Sequence, residues 1–488
     1  MAFISLEFLV FFPVVAITYF ILPFSLRWIW LLISSYYFYM SWNPKYAGLI
    51  VLSTLITYLC GVLIGKSSNK KVKNVWLIIS LISNLGILFI FKYYNFFRLN
   101  SRRILSIFNV SLNIPVFDFL LPVGISFYTF QSLSYVMDVY RGDTKAEKNL
   151  GKYALFVSFF PQLTAGPIGK SKELLYQFNE KHYFDYDRVK NGLILMAWGA
   201  FQKVFIADRL AIVVNTVYDS PGNYKGFQII TATIFFTFQI YCDFSSYSDI
   251  AVGAAEVMGF RLTRNFRQPY FSKSVKEFWR RWHISLSTWF KDYLYIPLGG
   301  NRKGKLRTYL NTMIVFILSG LWHGAAMNFI IWGTLHGVYQ VLSGLLKPAK
   351  LKLIKILNIR TEVFSYKLFQ MLTTFTLVSF AWLFFRATTF SSAQILIRNM
   401  FYFNPWIFSR SYLGLMGIDS KDFFMSILGI FIIISVNLMQ VRRNLRVQLS
   451  RQNAVFRWAI YFSCILAILI FGIYGEGYDE QQFIYSQF

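Results

Sequence analysis

Runs of about twenty apolar residues, the length a helix needs to cross a bilayer, recur from one end of this chain to the other. They lie near 5–24, 28–42, 46–65, 75–92, 119–138, 150–168, 191–216, 227–241, 247–260, 308–322, 325–346, 368–386, 422–440 and 455–475. Lipid cannot hydrogen-bond a backbone, so a chain of this kind must satisfy its amides inside helices or a closed barrel, and runs of this length select helices. The expected fold is an all-α polytopic membrane protein with about a dozen crossings, read as one domain over residues 1–488. The run at 150–168 carries Pro161, Gly166 and Pro167. Irregular backbone there must be lined by protein or water, so a re-entrant or broken segment is expected. Composition agrees: 56% of residues are hydrophobic and 15% charged, against about 25% charged in soluble domains.

The net charge of +27 raises nucleic acid as a partner. The basic residues instead sit in short clusters between apolar runs: KSSNKKVK, RLNSRR, NRKGKLR, KPAKLKLIK and VRRNLR. Cytoplasmic loops facing anionic headgroups carry this pattern, so nucleic acid is set aside. The first basic residue, Arg27, follows the first apolar run, which reads as an uncleaved span with its N-terminus outside. The basic segment 98–103 then falls on the wrong side, unless it is an amphipathic stretch lying on the membrane. The acidic segment 476–482 favours the outside. Cys60, Cys242 and Cys464 lie in apolar surroundings without metal or redox spacing and read as small hydrophobes.

Against this background the polar residues stand out. His323 and His336, two of only 4 histidines, occur in SGLWHGAAMNFIIWGTLHG (319–337). A titratable group in a lipid-buried run is costly and marks a functional site by default. Thirteen positions separate the two, more than a third of a turn off register on a continuous helix. They share a site only if Gly324 or Gly333 breaks the path; otherwise His336 reads as structural. His182, in the polar stretch EKHYFDYD, reads as a solvated loop residue.

Residues 274–296 carry an apolar stripe of Val275, Phe278, Trp282, Leu286, Trp289 and Tyr293, with Lys276, Arg280, Arg281 and Lys291 off it. This reads as an interfacial amphipathic helix, ended by Pro297 and Gly299–Gly300 and running into the basic loop at 301–305. His283 lies beside the stripe. Asp243 and Asp249, six residues apart, cannot face each other on one helix. Buried carboxylates need partners, and Arg or Lys from 264–281, including Arg280 and Arg281, could supply them. A polar network holding spans together fits these aspartates as well as chemistry does.

No metal constellation, P-loop, dinucleotide fingerprint or GxSxG elbow is present in the sequence, and no resident cofactor is expected. One histidine in a membrane site suits proton removal from an alcohol, because burial favours the uncharged imidazole that accepts a proton. The activated hydroxyl would attack a thioester, with Trp322, Asn328 and Ser319 as local donors for the oxyanion.

FWRRWHISLSTWFKDYLYIPLGGNRKGK, SGLWHGAAMNFIIWGTLHG, YCDFSSYSDIAVG and FFPQLTAGPIGK together resemble the membrane-bound O-acyltransferase family, and within it the branch that acetylates alginate and peptidoglycan. The resemblance runs over essentially the whole chain. It implies a ring of helices around a central funnel in a bacterial cytoplasmic membrane. The helices at 308–346 would carry the tryptophan–histidine motif, and the helix and loop at 274–300 the second histidine. His323 would be the base and His283 an assisting group. Acetyl-CoA would be the donor on the cytoplasmic side, its phosphates met by Arg302, Lys303 and Lys305. The acceptor would be an extracytoplasmic polysaccharide, reached through a secreted SGNH-type partner. The chain departs from the family pattern at Cys242 and Ser246, where an aromatic residue and a glycine are usual, and at Gly169–Lys170.

Teichoic-acid D-alanyl transfer from a carrier-protein thioester is the alternative within the family. A transporter of lipid-linked saccharides coupled through Asp243 and Asp249, or a surface-assembly scaffold, are alternatives outside it. No repeat of two halves, common in secondary transporters, is visible.

Overall fold

The computed structural model describes residues 1–110, 115–117, 121–402, 410–442, 445–474 and 484. Among these, every regular element is a helix. Six are long and apolar enough to span a membrane, and a seventh joins them if Met327–Leu345 and Lys347–Ile356, bent by 52°, form one span. Most of the other expected runs are helical too, but are shorter or more polar. Ile125–Arg141, with 17 residues, buries Gln131, Ser132, Ser134 and Asp138. Side chains used to bind neighbouring helices lower the hydropathy of the helix that carries them. The acidic segment 476–482 lies outside the described residues.

The chain packs as two compact units, residues 1–196 with 247–263 and residues 197–246 with 264–488. The runs at 227–241 and 247–260, read as two spans, are one 32-residue helix, Phe227–Met258, roughly 48 Å long at 1.5 Å per residue. It contributes to both units. Asp243 does not break it, because that carboxylate is paired.

In the first unit the 150–168 run is broken, as its prolines and glycines require. A helix ends at Ser158, Phe159 takes an extended ψ of 110°, and a single turn covers Phe160–Leu163. The break frees the Phe156 carbonyl and the Phe160 amide from each other. Gln131 and Gln162 donate their side-chain amides to the Phe156 carbonyl, and Phe160 N–H donates to Ser35 Oγ at 3.1 Å. The cost of broken backbone is thus met by protein groups rather than lipid. The segment 98–103 lies on the helix Tyr94–Ile107, which follows a π turn at Phe89–Tyr93.

His182 departs from its expectation as a solvated residue. It is buried against the Phe260 ring (4.7 Å between centroids), and its Nε2 lies 3.1 Å from the Gln177 carbonyl. Its own carbonyl accepts from Arg27 Nη1 at 2.6 Å. Burial pulls its pKa below the usual histidine value. The polar sequence around it gave no hint of this, because Phe260, whose ring covers it, comes from a distant segment.

Candidate active site

The second unit holds both motif histidines. His323 is the last residue of the helix Gly304–His323. Gly324 and Ala326 are extended, and Met327 starts the next helix, Met327–Leu345. The path therefore breaks at Gly324 and turns back on itself. Glycines allow the two helices to close. A Cβ on Gly320 would meet the Phe329 carbonyl oxygen at 2.3 Å, and one on Gly333 would meet the Phe316 carbonyl oxygen at 2.2 Å. These pairings define an antiparallel hairpin whose backbones approach as only small residues permit.

The hairpin packs the helix that carries Trp332 and His336 against the helix that ends at His323. Both imidazoles pack edge-to-face on the Trp332 ring, His323 at 4.9 Å and His336 at 5.1 Å between centroids. His323 also meets the rings of Trp322 (4.8 Å) and Phe385 (5.3 Å). Trp382, from the helix Phe364–Arg386, stacks on Trp332 at 5.5 Å. The result is a buried aromatic box in which both imidazoles contact Trp332.

His283 enters the same neighbourhood from another direction. The interfacial helix expected over 274–296 is two short helices, Val275–Arg281 and Ile284–Phe290, followed by a π turn at Lys291–Tyr295. The break falls on His283, which takes a left-handed backbone with φ 42°. A non-glycine residue there is strained, and such strain collects at functional sites. Asn265 holds the break: its carbonyl accepts from Ile284 N–H at 3.0 Å, and its Oδ1 from Ser285 Oγ at 2.7 Å and from Ser285 N–H at 3.2 Å. The stripe itself is kept, with Val275, Phe278, Trp282 and Leu286 buried while Lys276, Arg280 and Lys291 are exposed. The kink turns the His283 ring onto Phe244 (4.6 Å) and toward Trp322 (6.2 Å). Trp322 thus touches both His323 and His283. Burial pushes the His283 pKa well below the usual histidine value, so the ring is neutral at ordinary pH.

The other candidates fall into three groups. Trp322 and Ser319 are buried on the His323 helix. Asn328 is buried, but its amide is committed: Nδ2 donates to the carbonyls of Ala387 (2.6 Å) and Phe384 (3.3 Å). It pins the start of one helix to the end of another. Arg280 is exposed and Arg281 pairs with Glu277 at 2.6 Å, while Arg302, Lys303 and Lys305 are exposed in and beside the loop that precedes the His323 helix.

Asp243 finds its cation elsewhere than in 264–281. Lys203 Nζ lies 2.7 Å from Asp243 and 2.8 Å from Asp208, and Ile484 N–H donates to the other Asp243 oxygen at 2.9 Å. Lys203 is carried by a π turn, Gln202–Ala207, in which the extra residue re-aims the side chains. The available signal was a lysine inside the apolar run 191–216. Asp249, six positions along the same helix, is half-buried and belongs to the first unit.

Three donors were missed by sequence reasoning. Trp332 Nε1, Trp382 Nε1 and His336 Nε2 are buried and have no hydrogen-bond partner among the described residues. Trp279 Nε1 donates to His336 Nδ1 at 3.2 Å, so the neutral His336 ring carries its proton on Nε2. Buried donors are ordinarily satisfied, so three unpartnered ones on the rings around Trp332 stand out as candidate donors to a ligand. Only the pairing of two intramembrane histidines in one motif pointed here; Trp382 carried no signal.

The candidate site is thus a buried imidazole at a helix break, boxed by tryptophans and sharing one of them with a second histidine on a strained backbone. Comparison with known proteins gives its class. A family model described as MBOAT, membrane-bound O-acyltransferase family, matches residues 147–349. The probable alginate O-acetylase of Pseudomonas syringae is 41% identical over 384 residues, covering 78% of this chain and 71% of that protein. The peptidoglycan O-acetyltransferase of Helicobacter pylori is 36% identical over 401 residues, covering 76% and 73%. The teichoic acid D-alanyltransferase of Bacillus subtilis is 29% identical over 234 residues, covering 44% and 57%. The chain belongs to the membrane-bound O-acyltransferase family. It is a multi-pass membrane protein and an O-acyltransferase.

Proposed function

We propose that this enzyme is the membrane component of a bacterial polysaccharide O-acetylation system. It takes an acetyl group from acetyl-CoA on the cytoplasmic side of the cytoplasmic membrane. It passes the group outward to hydroxyls of an alginate-like or cell-wall glycan, with a secreted SGNH-type protein completing delivery. The single observation that carries the reading is the placement of His323: buried, at a helix break, with His283 against the same indole. The acetylating relatives match over about three quarters of this chain, and the D-alanylating one over less than half. That contrast supports acetyl over D-alanyl.

In the proposed step, His323 accepts the proton of the acceptor hydroxyl as its oxygen attacks the thioester carbonyl carbon. In this reading the buried indole N–H groups of Trp332 and Trp382 and His336 Nε2 are the donors assigned to the resulting oxyanion. The tetrahedral species then collapses with cleavage of the C–S bond, and the imidazolium returns its proton to the departing thiolate. The products are an acetyl ester and free CoA thiol. His283 supports the geometry through Trp322.

The test uses the full chain purified in detergent with acetyl-CoA, with and without a soluble polysaccharide acceptor, reading free thiol. A parallel arm supplies D-alanyl carrier-protein thioester. Acceptor-dependent thiol release from acetyl-CoA alone supports the reading. Release only from the carrier thioester would replace it with D-alanyl transfer.

A further inference from the structure

Away from the histidines, a cleft of about 350 Å³ opens beside the surface helix Lys347–Ile356. That volume is within the range of small-ligand sites, roughly 300–1,000 Å³. Lys273, Lys347, Lys350 and Lys367 line it, and Glu362 is the one carboxylate in its wall. Glu362 is already committed to Lys367, at 3.4 Å. Lys350 stands over the Tyr366 ring at 5.9 Å, an orientation that holds its ammonium in place.

Four ammonium groups around one concavity repel each other, and a concave wall focuses their field. The wall therefore favours a multiply charged anion. Leu351 and Ile354 add aliphatic surface to the lining of the cleft. The bearing helix leaves the preceding candidate span at 52° and exposes Leu353 and Ile356. A short helix that exposes four lysines together with Leu351, Leu353 and Ile356 suits the headgroup region of a membrane.

We propose that this cleft is a binding site for a phosphorylated ligand whose phosphate is held by Lys347, Lys350 and Lys367. The chemistry is shared by two sources, the headgroup of an anionic phospholipid and a soluble organic phosphate such as CoA. The inference does not depend on the proposed reaction, since the cleft lies outside the aromatic box.

The test uses the full chain in a non-ionic detergent, with four probes: short-chain phosphatidylglycerol, short-chain phosphatidylcholine, inorganic pyrophosphate and CoA. Dissociation constants are measured for the wild type, Lys347→Gln/Lys350→Gln, Lys352→Gln/Lys355→Gln and Glu362→Gln. The second pair removes the same charge from the same helix outside the cleft. Melting curves accompany each variant. At least one probe should bind, with affinity falling roughly tenfold or more in Lys347→Gln/Lys350→Gln. It should change less than about twofold in Lys352→Gln/Lys355→Gln and tighten in Glu362→Gln. Preference for phosphatidylglycerol identifies a lipid headgroup; preference for CoA and pyrophosphate identifies a soluble phosphate. Binding by no probe, or equal loss in the two lysine pairs, overturns the proposal. Should Lys347→Gln/Lys350→Gln not fold, Glu362→Gln decides: unchanged or weaker binding overturns it.

Discussion

The second unit buries titratable groups in two neighbouring ways. At the aromatic box, imidazoles are surrounded by ring edges and faces: His323 by Trp322, Trp332 and Phe385, and His283 by Phe244 and Trp322. At the π turn, Lys203 is clamped between Asp208 and Asp243. Phe244 links the two places, being next to Asp243 in sequence and against His283 in space. Ring contacts hold an imidazole in position without fixing a charge on it. Charge contacts hold a lysine in position by using up its charge. The first arrangement suits a group that must accept and return a proton; the second suits a group that must never move.

That contrast can be broken at either end. The largest effect is expected at the box. Replacing His323 by Ala should lower turnover by about two to four orders of magnitude, the usual worth of a positioned general base. The melting temperature should hardly change, and thiol release measured beside a melting curve checks both. Next comes the clamp. Lys203→Met leaves two carboxylates buried without their cation, and breaking a buried pair costs about 3–5 kcal/mol. A large fall in melting temperature is expected, with turnover retained below the midpoint; an unchanged midpoint would remove the clamp from the account.

Smaller effects sharpen the geometry. Gly333→Ala places a methyl on the Phe316 carbonyl and must force the hairpin apart, at about 1–3 kcal/mol. Because Trp332 lies next to Gly333, turnover should fall further than stability alone explains. The smallest effect concerns pH. His283 has a folded pKa below its unfolded value of about 6.5. Below that pH the unfolded chain takes up a proton that the folded protein refuses, so stability falls as pH drops. The slope is at most about 1.4 kcal/mol per pH unit. His283→Asn tolerates the left-handed backbone and should lose less stability than the wild type between pH 7.5 and 5.5. Equal losses would mean that His283 is not held neutral.

Much of the fold was legible because membrane helices announce themselves by length and composition. Most of the apolar runs are helices, and the broken one at 150–168 was marked by its own prolines and glycines. What stayed hidden depended on partners distant in sequence. Asp243 pairs with Lys203, forty residues earlier and on a π turn that no periodicity reveals. His182 is buried by Phe260. The amphipathic stripe at 274–296 was readable, but the kink at His283 was not, because Asn265 from a separate segment holds it. For the candidate site, two histidines in one motif and a third beside a stripe drew attention to elements that the structure packs around Trp322 and Trp332. Asn328 is the instructive opposite. It looked like a free donor and is instead spent on the carbonyls of Phe384 and Ala387, whereas Trp332 and Trp382 looked like filler and present buried N–H groups.

The most direct measurement sets the two ends of the comparison side by side. Wild type, His323→Ala and Lys203→Met are each purified as the full chain and given acetyl-CoA and a hydroxyl acceptor below all three melting midpoints. Turnover and melting temperature are read from the same preparations. The account predicts a crossed pattern: His323→Ala folded but inactive, Lys203→Met less stable but active. A His323→Ala protein that melts like the wild type and turns over within about tenfold of it would contradict the assignment of His323 as the base.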